Sequence, residues 1–149
     1  VKTYTIRSLD NASNTRSAAI ELLSANCPSE SDRYESSRLN QELYSIDTLP
    51  FYRRFFGAYA ANNQLIAVGG IKAADWASDT HILYMMAVDK QFRGQGIGSD
   101  LEKTRLDWVR DNFTHGRCLV STRHKKRFMR WGFAAVSEIN DRHLMVIEF

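Results

Sequence analysis

The residues best suited to chemistry in this chain are three glycines at alternate positions, in the run Arg93-Gly94-Gln95-Gly96-Ile97-Gly98. An apolar stretch, Ile82-Leu83-Tyr84-Met85-Met86-Ala87-Val88, precedes them and reads as a strand. Residues 99–110 follow with the mixed apolar and charged character of a helix. A glycine-rich turn between strand and helix is an arrangement that holds phosphate. Glycine lets the backbone approach a ligand closely and adopt φ > 0. The first N–H groups of a helix lack intrahelical partners, and the aligned peptide dipoles place about half a positive charge there. Such a turn binds an anion without a metal. The spacing disfavours two common phosphate motifs. A P-loop requires Lys and then Ser or Thr after its last glycine, but Gly98 is followed by Ser99-Asp100. A dinucleotide fingerprint spaces its glycines as G-x-G-x-x-G near the start of a βαβ unit. Here they alternate strictly and lie past the middle of the chain.

The elements that must position this turn can be read along the chain. Tyr4, Ile6 and Leu9 predict a first strand. Residues 10–14 offer several helix N-caps, and Ala19, Ile20 and Leu23 give a short amphipathic helix. Cys27-Pro28-Ser29 ends it. Ser29 and Asp32 have the spacing of a helix start, with Tyr34, Leu39 and Leu43 as the apolar positions of a second helix. A loop over 45–50 leads to an aromatic-rich β region over 51–60. Asn62-Asn63 marks a turn before a strand over 65–71, and 75–79 is a loop before the strand over 81–88. After the long helix, which ends near Asn112, residues 118–121 read as a short buried strand. A helix over 123–131 is stopped by Gly132. Residues 133–136 and 144–147 form a closing hairpin around Asn140-Asp141.

Arg93, Gly96 and Gly98 resemble the acyl-CoA signature of the GNAT superfamily of N-acetyltransferases: Gln or Arg, two residues, Gly, one residue, then Gly or Ala. Val88-Asp89 at the strand end, Phe92 before Arg93 and Leu101 on the core face of the helix agree with it. The order β-α-α-β-β-β-α-β-α-β-β is also that of the superfamily, so the resemblance covers essentially the whole chain. It implies an α/β (α+β) fold, a mixed and largely antiparallel splayed sheet flanked by helices, in one domain over residues 1–149. It implies acetyl-CoA as cosubstrate and no metal. The backbone of Met86, Ala87 and Val88 would pair with the pantetheine arm like an added strand. The N–H groups of Arg93, Gly94, Gln95, Gly96, Ile97, Gly98 and Ser99 would hold the pyrophosphate.

The resemblance also says where catalytic groups should stand. The family often carries Glu six residues before the valine; here that residue is Ile82. Tyr84 and Met86 are expected on the same face, since alternate strand residues share one. Tyr84 reads either as a substrate-contacting or water-holding group, or as a half-buried strand tyrosine. His81 is expected on the opposite face. The family's second motif begins with Asn and ends in Gly-Phe. The corresponding run starts at Ser121 and keeps Gly132-Phe133. Phe128 stands where the family has a Tyr that protonates the leaving thiolate, so Ser121 or water would serve instead, and Phe128 contributes packing at the cofactor. Arg123, Lys125, Lys126, Arg127 and Arg130 form a basic cluster with three readings: a solvated helix face, contacts near the CoA 3′-phosphate, or nucleic-acid contact. Five charges on one short helix, without further basic runs, make nucleic acid the weakest of these.

Composition bounds the rest. The chain has 149 residues, 44% hydrophobic and 25% charged, as in a globular protein with a real core. A net charge of +3 and a pI of 9.0 suit an anionic cofactor and decide nothing alone. No apolar run approaches the ~20 residues of a membrane helix, and the first residues lack the apolar core of a secretory signal. Cys27 and Cys118 lie far apart without metal-ligand spacing, as expected of free thiols in a cytoplasmic protein. The expected activity is acetyl transfer from acetyl-CoA to a primary amine of a small molecule or peptide. The alternative is an acyl-CoA-binding sensor or interaction protein with little catalysis, for which Ile82 and Phe128 speak. Loops over 26–50, 73–79 and 137–143 would select the acceptor, with Tyr44, Tyr52 and Trp76 as pocket or core residues. The oligomeric state stays open, a homodimer included.

Overall fold

The computed structural model describes residues 2–27 and 34–149. The helix start expected at Ser29 and Asp32 lies outside the described residues. Among these, a sheet of seven strands runs in the order β1-β2-β3-β4-β5-β7-β6. Its strands are β1 (Tyr4–Ser8), β2 (Arg53–Ala60), β3 (Leu65–Ala73), β4 (Thr80–Val88), β5 (Arg117–Thr122), β6 (Ala134–Ile139) and β7 (Arg142–Glu148). All neighbours pair antiparallel except β4 and β5, which are parallel. The helices are α1 (Ser13–Asn26), α2 (Ser36–Glu42), α3 (Ile97–Asn112) and α4 (Lys125–Met129). The order of elements is the one expected from the sequence.

The sheet buries both faces, which explains why its central strands are almost continuously apolar. On one face, Leu22, Leu23, Leu39 and Leu43 of the α1–α2 side close over Phe55, Val68, Met85 and Ala87. On the other, Ile97, Leu101, Leu106 and Val109 of α3 pack with Ile66, Ile71, Leu83, Phe128 and Phe133. Tyr34 precedes α2 instead of lying within it. The last helix is shorter than expected, because Arg123 and His124 precede it and Gly132, at φ +97°, ends the following turn. In the closing hairpin Asn140 and Asp141 both take positive φ, a conformation their short polar side chains tolerate.

His81 faces the α3 side, away from Ile82 and Tyr84, as alternation requires. It is buried, its Nδ1 lies 2.9 Å from the Tyr52 hydroxyl, and its ring centroid is 4.4 Å from that of Phe113. Burial holds its pKa below the ordinary imidazole range, with Asp79 opposing. The unfolded chain therefore takes up a proton here at a higher pH than the folded one. Stability is expected to fall as pH drops below about 6.5, where an ordinary histidine charges. Urea midpoints at pH 7.5 and 5.5 check this. The decline should be shallower in His81→Gln, and equal slopes in both proteins would remove His81 as its source.

Candidate active site

The central strands separate midway along β4, before the glycine turn. β4 pairs with β5 through Thr80–Arg117, His81–Cys118 and Ile82–Leu119. Beyond Ile82 the two strands diverge around a cleft of about 840 Å³. Leu83 to Val88 form one wall, Val120, Ser121 and Thr122 the other, and the start of α3 closes one end. A parallel pair joined by a helical crossover can open this way because the helix, and no tight turn, fixes the strand ends.

The turn itself is built locally. The Asp89 carboxylate accepts the Gln91 N–H at 2.9 Å and starts a short 3-10 turn over Lys90–Phe92. Gly94 and Gly96 take φ of +80° and +83°, and open space lies where a Cβ would stand at each. Backbone conformation, not crowding, requires these two glycines. The Gly96 carbonyl accepts the Asp100 N–H at 3.0 Å, the first α-helical bond of α3. The N–H groups of Ile97, Gly98 and Ser99 precede it and remain for an anion. Gly98 lies inside the first turn of α3, where the flexible end of the Arg127 side chain occupies the space a Cβ would take.

The turn residues divide in their placement. Arg93, Gly94, Gly96, Ile97, Gly98 and Ser99 line the cleft, whereas Gln95 is exposed and does not line it. The Arg93 side chain acts as a clamp, donating to the Val88 carbonyl and to Asn26 Oδ1 of α1, each at 3.0 Å. The Val88 carbonyl is thus already engaged within the protein.

The expectation that Tyr84 and Met86 share a face is overturned. Met85 takes φ +50° and the β3–β4 register slips between Val68 and Gly70, so β4 carries a bulge. An extra residue in a strand inverts the alternation beyond it. Met86 and Val88 consequently pack on the α3 side with Leu83, while Tyr84 joins Met85 and Ala87 on the α1–α2 side. There the Tyr84 hydroxyl donates to Glu42 Oε2 at 2.7 Å, and Lys72 Nζ lies 3.2 Å from Glu42 Oε1 and 4.5 Å from the Tyr84 ring centre. Arg53 completes the set at 3.8 Å. Burial alone would raise the Glu42 pKa, but the Tyr84 hydrogen bond and the Lys72 and Arg53 charges outweigh it and hold the carboxyl below its usual range. The Tyr84 phenol is pushed up, first by burial and then by the Glu42 charge. Glu42 was not singled out in the sequence: it is one of several polar residues on a weakly patterned helix.

Ser121 is exposed on the far wall of the cleft, and Phe128 is buried with its ring edge-on to Phe133 at 5.4 Å. Sequence patterning also missed a buried charged cluster on α3. Glu102 is fully buried, accepts the Trp131 indole N–H at 2.9 Å, and pairs with Arg127, with Arg130 at 3.7 Å. Arg130 also donates to Ser99 Oγ at 3.0 Å. The basic cluster is therefore not uniformly a solvated face: Arg123, Lys125, Lys126 and Arg130 are exposed and Arg127 is half-buried, but Arg127 and Arg130 both turn back to α3. Arg105, 1% exposed, donates to the carbonyls of Leu101 and Gly70 and to Met86 Sδ at 3.0–3.1 Å. Burial pulls its pKa down to about 10 against the pull of Glu102, so it stays charged at neutral pH.

Among the described residues no helix is long and apolar enough to cross a membrane. The model of the acetyltransferase (GNAT) family matches residues 17–133. No curated protein sequence matches significantly. The fold is similar to that of a PaiA N-acetyltransferase from Thermoplasma acidophilum in complex with coenzyme A, with a TM-score of 0.74 and 13% identity over 99% of this chain and 100% of that one. It is similar to Escherichia coli ElaA, with a TM-score of 0.77 and 15% identity over 96% and 98% of the two chains. An acyl-CoA N-acyltransferase from Pseudomonas aeruginosa gives 0.73 and 16% over 96% and 97%. At these identities the likeness is one of fold.

Proposed function

The chain belongs to the GNAT acetyltransferase family, and from that premise we propose that it transfers an acetyl group from acetyl-CoA to a primary amine of a small molecule or peptide. The observation that carries this reading is the parted β4–β5 pair opening beside the free N-terminus of α3. The two halves of the cleft suit the two halves of CoA. The diverged edge at Met86 and Ala87 can take an amide-bearing arm as an added strand. The N–H groups of Ile97, Gly98 and Ser99, with the left-handed turns at Gly94 and Gly96, suit a diphosphate. Acetyl-CoA supplies an acyl group activated as a thioester. The protein's residues bind and orient it, and a backbone N–H near the end of β4 polarises the carbonyl.

In this reading Tyr84, which lines the cleft, serves the acceptor side. Its proton is committed to Glu42, which leaves oxygen lone pairs to accept a hydrogen bond from an incoming amine. A carboxylate held below its usual range is a weak base, so the Glu42–Tyr84 pair orients the amine, and the proton leaves through water. Ser121 stands on the opposite wall as a polar group near the leaving side, where Phe128 contributes ring packing alone.

A second reading, an acyl-CoA-binding protein with little turnover, draws on Ile82 and Phe128, which replace the acid and base common in the family. Two measurements separate the readings. CoA at a hundred times its dissociation constant adds ~2.7 kcal/mol, or a melting shift of roughly 5–10 °C. Thiol release from acetyl-CoA is then followed against polyamines, aminoglycosides, amino acids and peptides. No shift at millimolar CoA in folded protein would remove the cofactor assignment. A shift without thiol release across the panel would favour the second reading.

A further inference from the structure

Glu102 poses a physical problem. A fully buried carboxylate costs several kcal/mol unless its charge is matched and its oxygens are bonded. Here the matching groups come from the far side of the cleft: Arg127 and Arg130, on and just after α4, and the Trp131 indole. The cluster also sits at the α3 end of the cleft. Gly98, in the first turn of α3, lacks the Cβ that would strike the Arg127 guanidinium, and Arg130 reaches Ser99 one residue on. Gly98, Ser99, Arg127 and Arg130 all line the cleft. Two long, flexible cations, Arg127 half-buried and Arg130 still exposed, are thereby held beside the first turn of α3.

We propose that Glu102 is a positioning residue for phosphate recognition, holding the Arg127 and Arg130 guanidinium groups so that they and the N–H groups of α3 converge on the diphosphate of an acyl-CoA. The proposal rests on the reading of the cleft as an acyl-CoA site. A guanidinium fork tied on one edge by a carboxylate still has N–H donors on its other edge, and a tied fork loses less side-chain entropy when it binds an anion. The sign of one measurement separates this from simple charge attraction. Glu102→Gln removes a negative charge beside the site. If the arginines act only as positive charge, the variant binds phosphate more tightly; if Glu102 positions them, it binds less tightly.

The experiment is calorimetric titration of CoA, dephospho-CoA and pantetheine, at fixed ionic strength, into wild type, Glu102→Gln, Arg127→Met and Lys126→Met. The expected result is that Glu102→Gln and Arg127→Met each weaken CoA and dephospho-CoA by about tenfold or more, the usual scale of a charge-assisted hydrogen bond. Pantetheine affinity stays unchanged in both. Lys126→Met, which removes an exposed charge from the same helix, binds as wild type does. Tighter or unchanged CoA binding in Glu102→Gln overturns the proposal. Equal weakening for pantetheine overturns it too, because the damage is then not phosphate-specific. A loss confined to CoA and absent for dephospho-CoA assigns the arginines to the 3′-phosphate instead and overturns the diphosphate assignment. If Glu102→Gln does not fold, Glu102→Asp, which keeps the charge and withdraws it by one methylene, replaces it: weaker CoA and dephospho-CoA binding is expected, and unchanged binding overturns the proposal. Wild-type protein that binds neither CoA nor dephospho-CoA overturns the proposed function itself, and this inference with it.

Discussion

Tyr84→Phe is expected to lower turnover with the best acceptor amine by about a hundredfold, the lower end of what a positioned polar group contributes, while leaving CoA affinity within about twofold. The ring should stay in place. Its contacts with Phe55, at 5.4 Å between ring centres, and with the Lys72 ammonium do not involve the hydroxyl. What is lost is an oxygen held by Glu42 at 2.7 Å in a cleft-lining residue. Glu42 keeps Lys72 and Arg53, so it is not left as an unpaired buried charge. The stability loss should therefore stay near one hydrogen bond, ~1 kcal/mol. Steady-state thiol release against acceptor concentration, with the CoA melting shift measured in parallel, checks this. Glu42→Gln should lower turnover less, since the amide can still accept from the phenol. Full turnover in Tyr84→Phe would return Tyr84 to its other reading, a half-buried strand tyrosine.

The largest stability effect is expected at Arg105. Arg105→Met retains much of the aliphatic length and removes every donor. The Gly70 carbonyl and Met86 sulfur lose their partner, and the neighbouring Glu102 loses a compensating charge. Removing one member of a buried charged set typically costs about 3–5 kcal/mol, here a fall in melting temperature of about 10 °C or more. Urea unfolding measures it. Because part of the cost is the carboxylate left behind, Arg105→Met combined with Glu102→Leu should be less destabilised than the sum of the single changes. A loss under about 1 kcal/mol for Arg105→Met would mean that α3 does not depend on this strut.

Gly69 and Gly70 belong to the same argument. A Cβ on Gly69 would stand 3.2 Å from the Arg105 guanidinium carbon, and one on Gly70 would stand 2.6 Å from the Phe55 ring. The pair makes room for an arginine on one face of β3 and an aromatic ring on the other. In the sequence it reads only as two small residues in an apolar strand.

What the sequence determined by itself was whatever obeys local rules. Strand periodicity, helix patterning and turn residues placed the elements in order, and the alternating glycines after an apolar strand marked the left-handed turn that opens α3. A left-handed φ at Gly94 and Gly96 is a property of a few consecutive residues, so spacing was enough to find it. Tertiary structure decided the rest. The bulge at Met85 moved Tyr84 and Met86 to opposite faces, because register against β3, not the β4 sequence, sets where the extra residue falls. Glu42 reached Tyr84 across 42 positions, and Glu102 reached Trp131 across 29. Such pairings depend on how two surfaces meet and on which rotamers survive there. Gly98 shows both levels in one residue: its type and position were legible as part of a glycine-rich turn at a helix start, but the Arg127 side chain that fills the space beside it arrives from another helix, and only the tertiary fold brings it there.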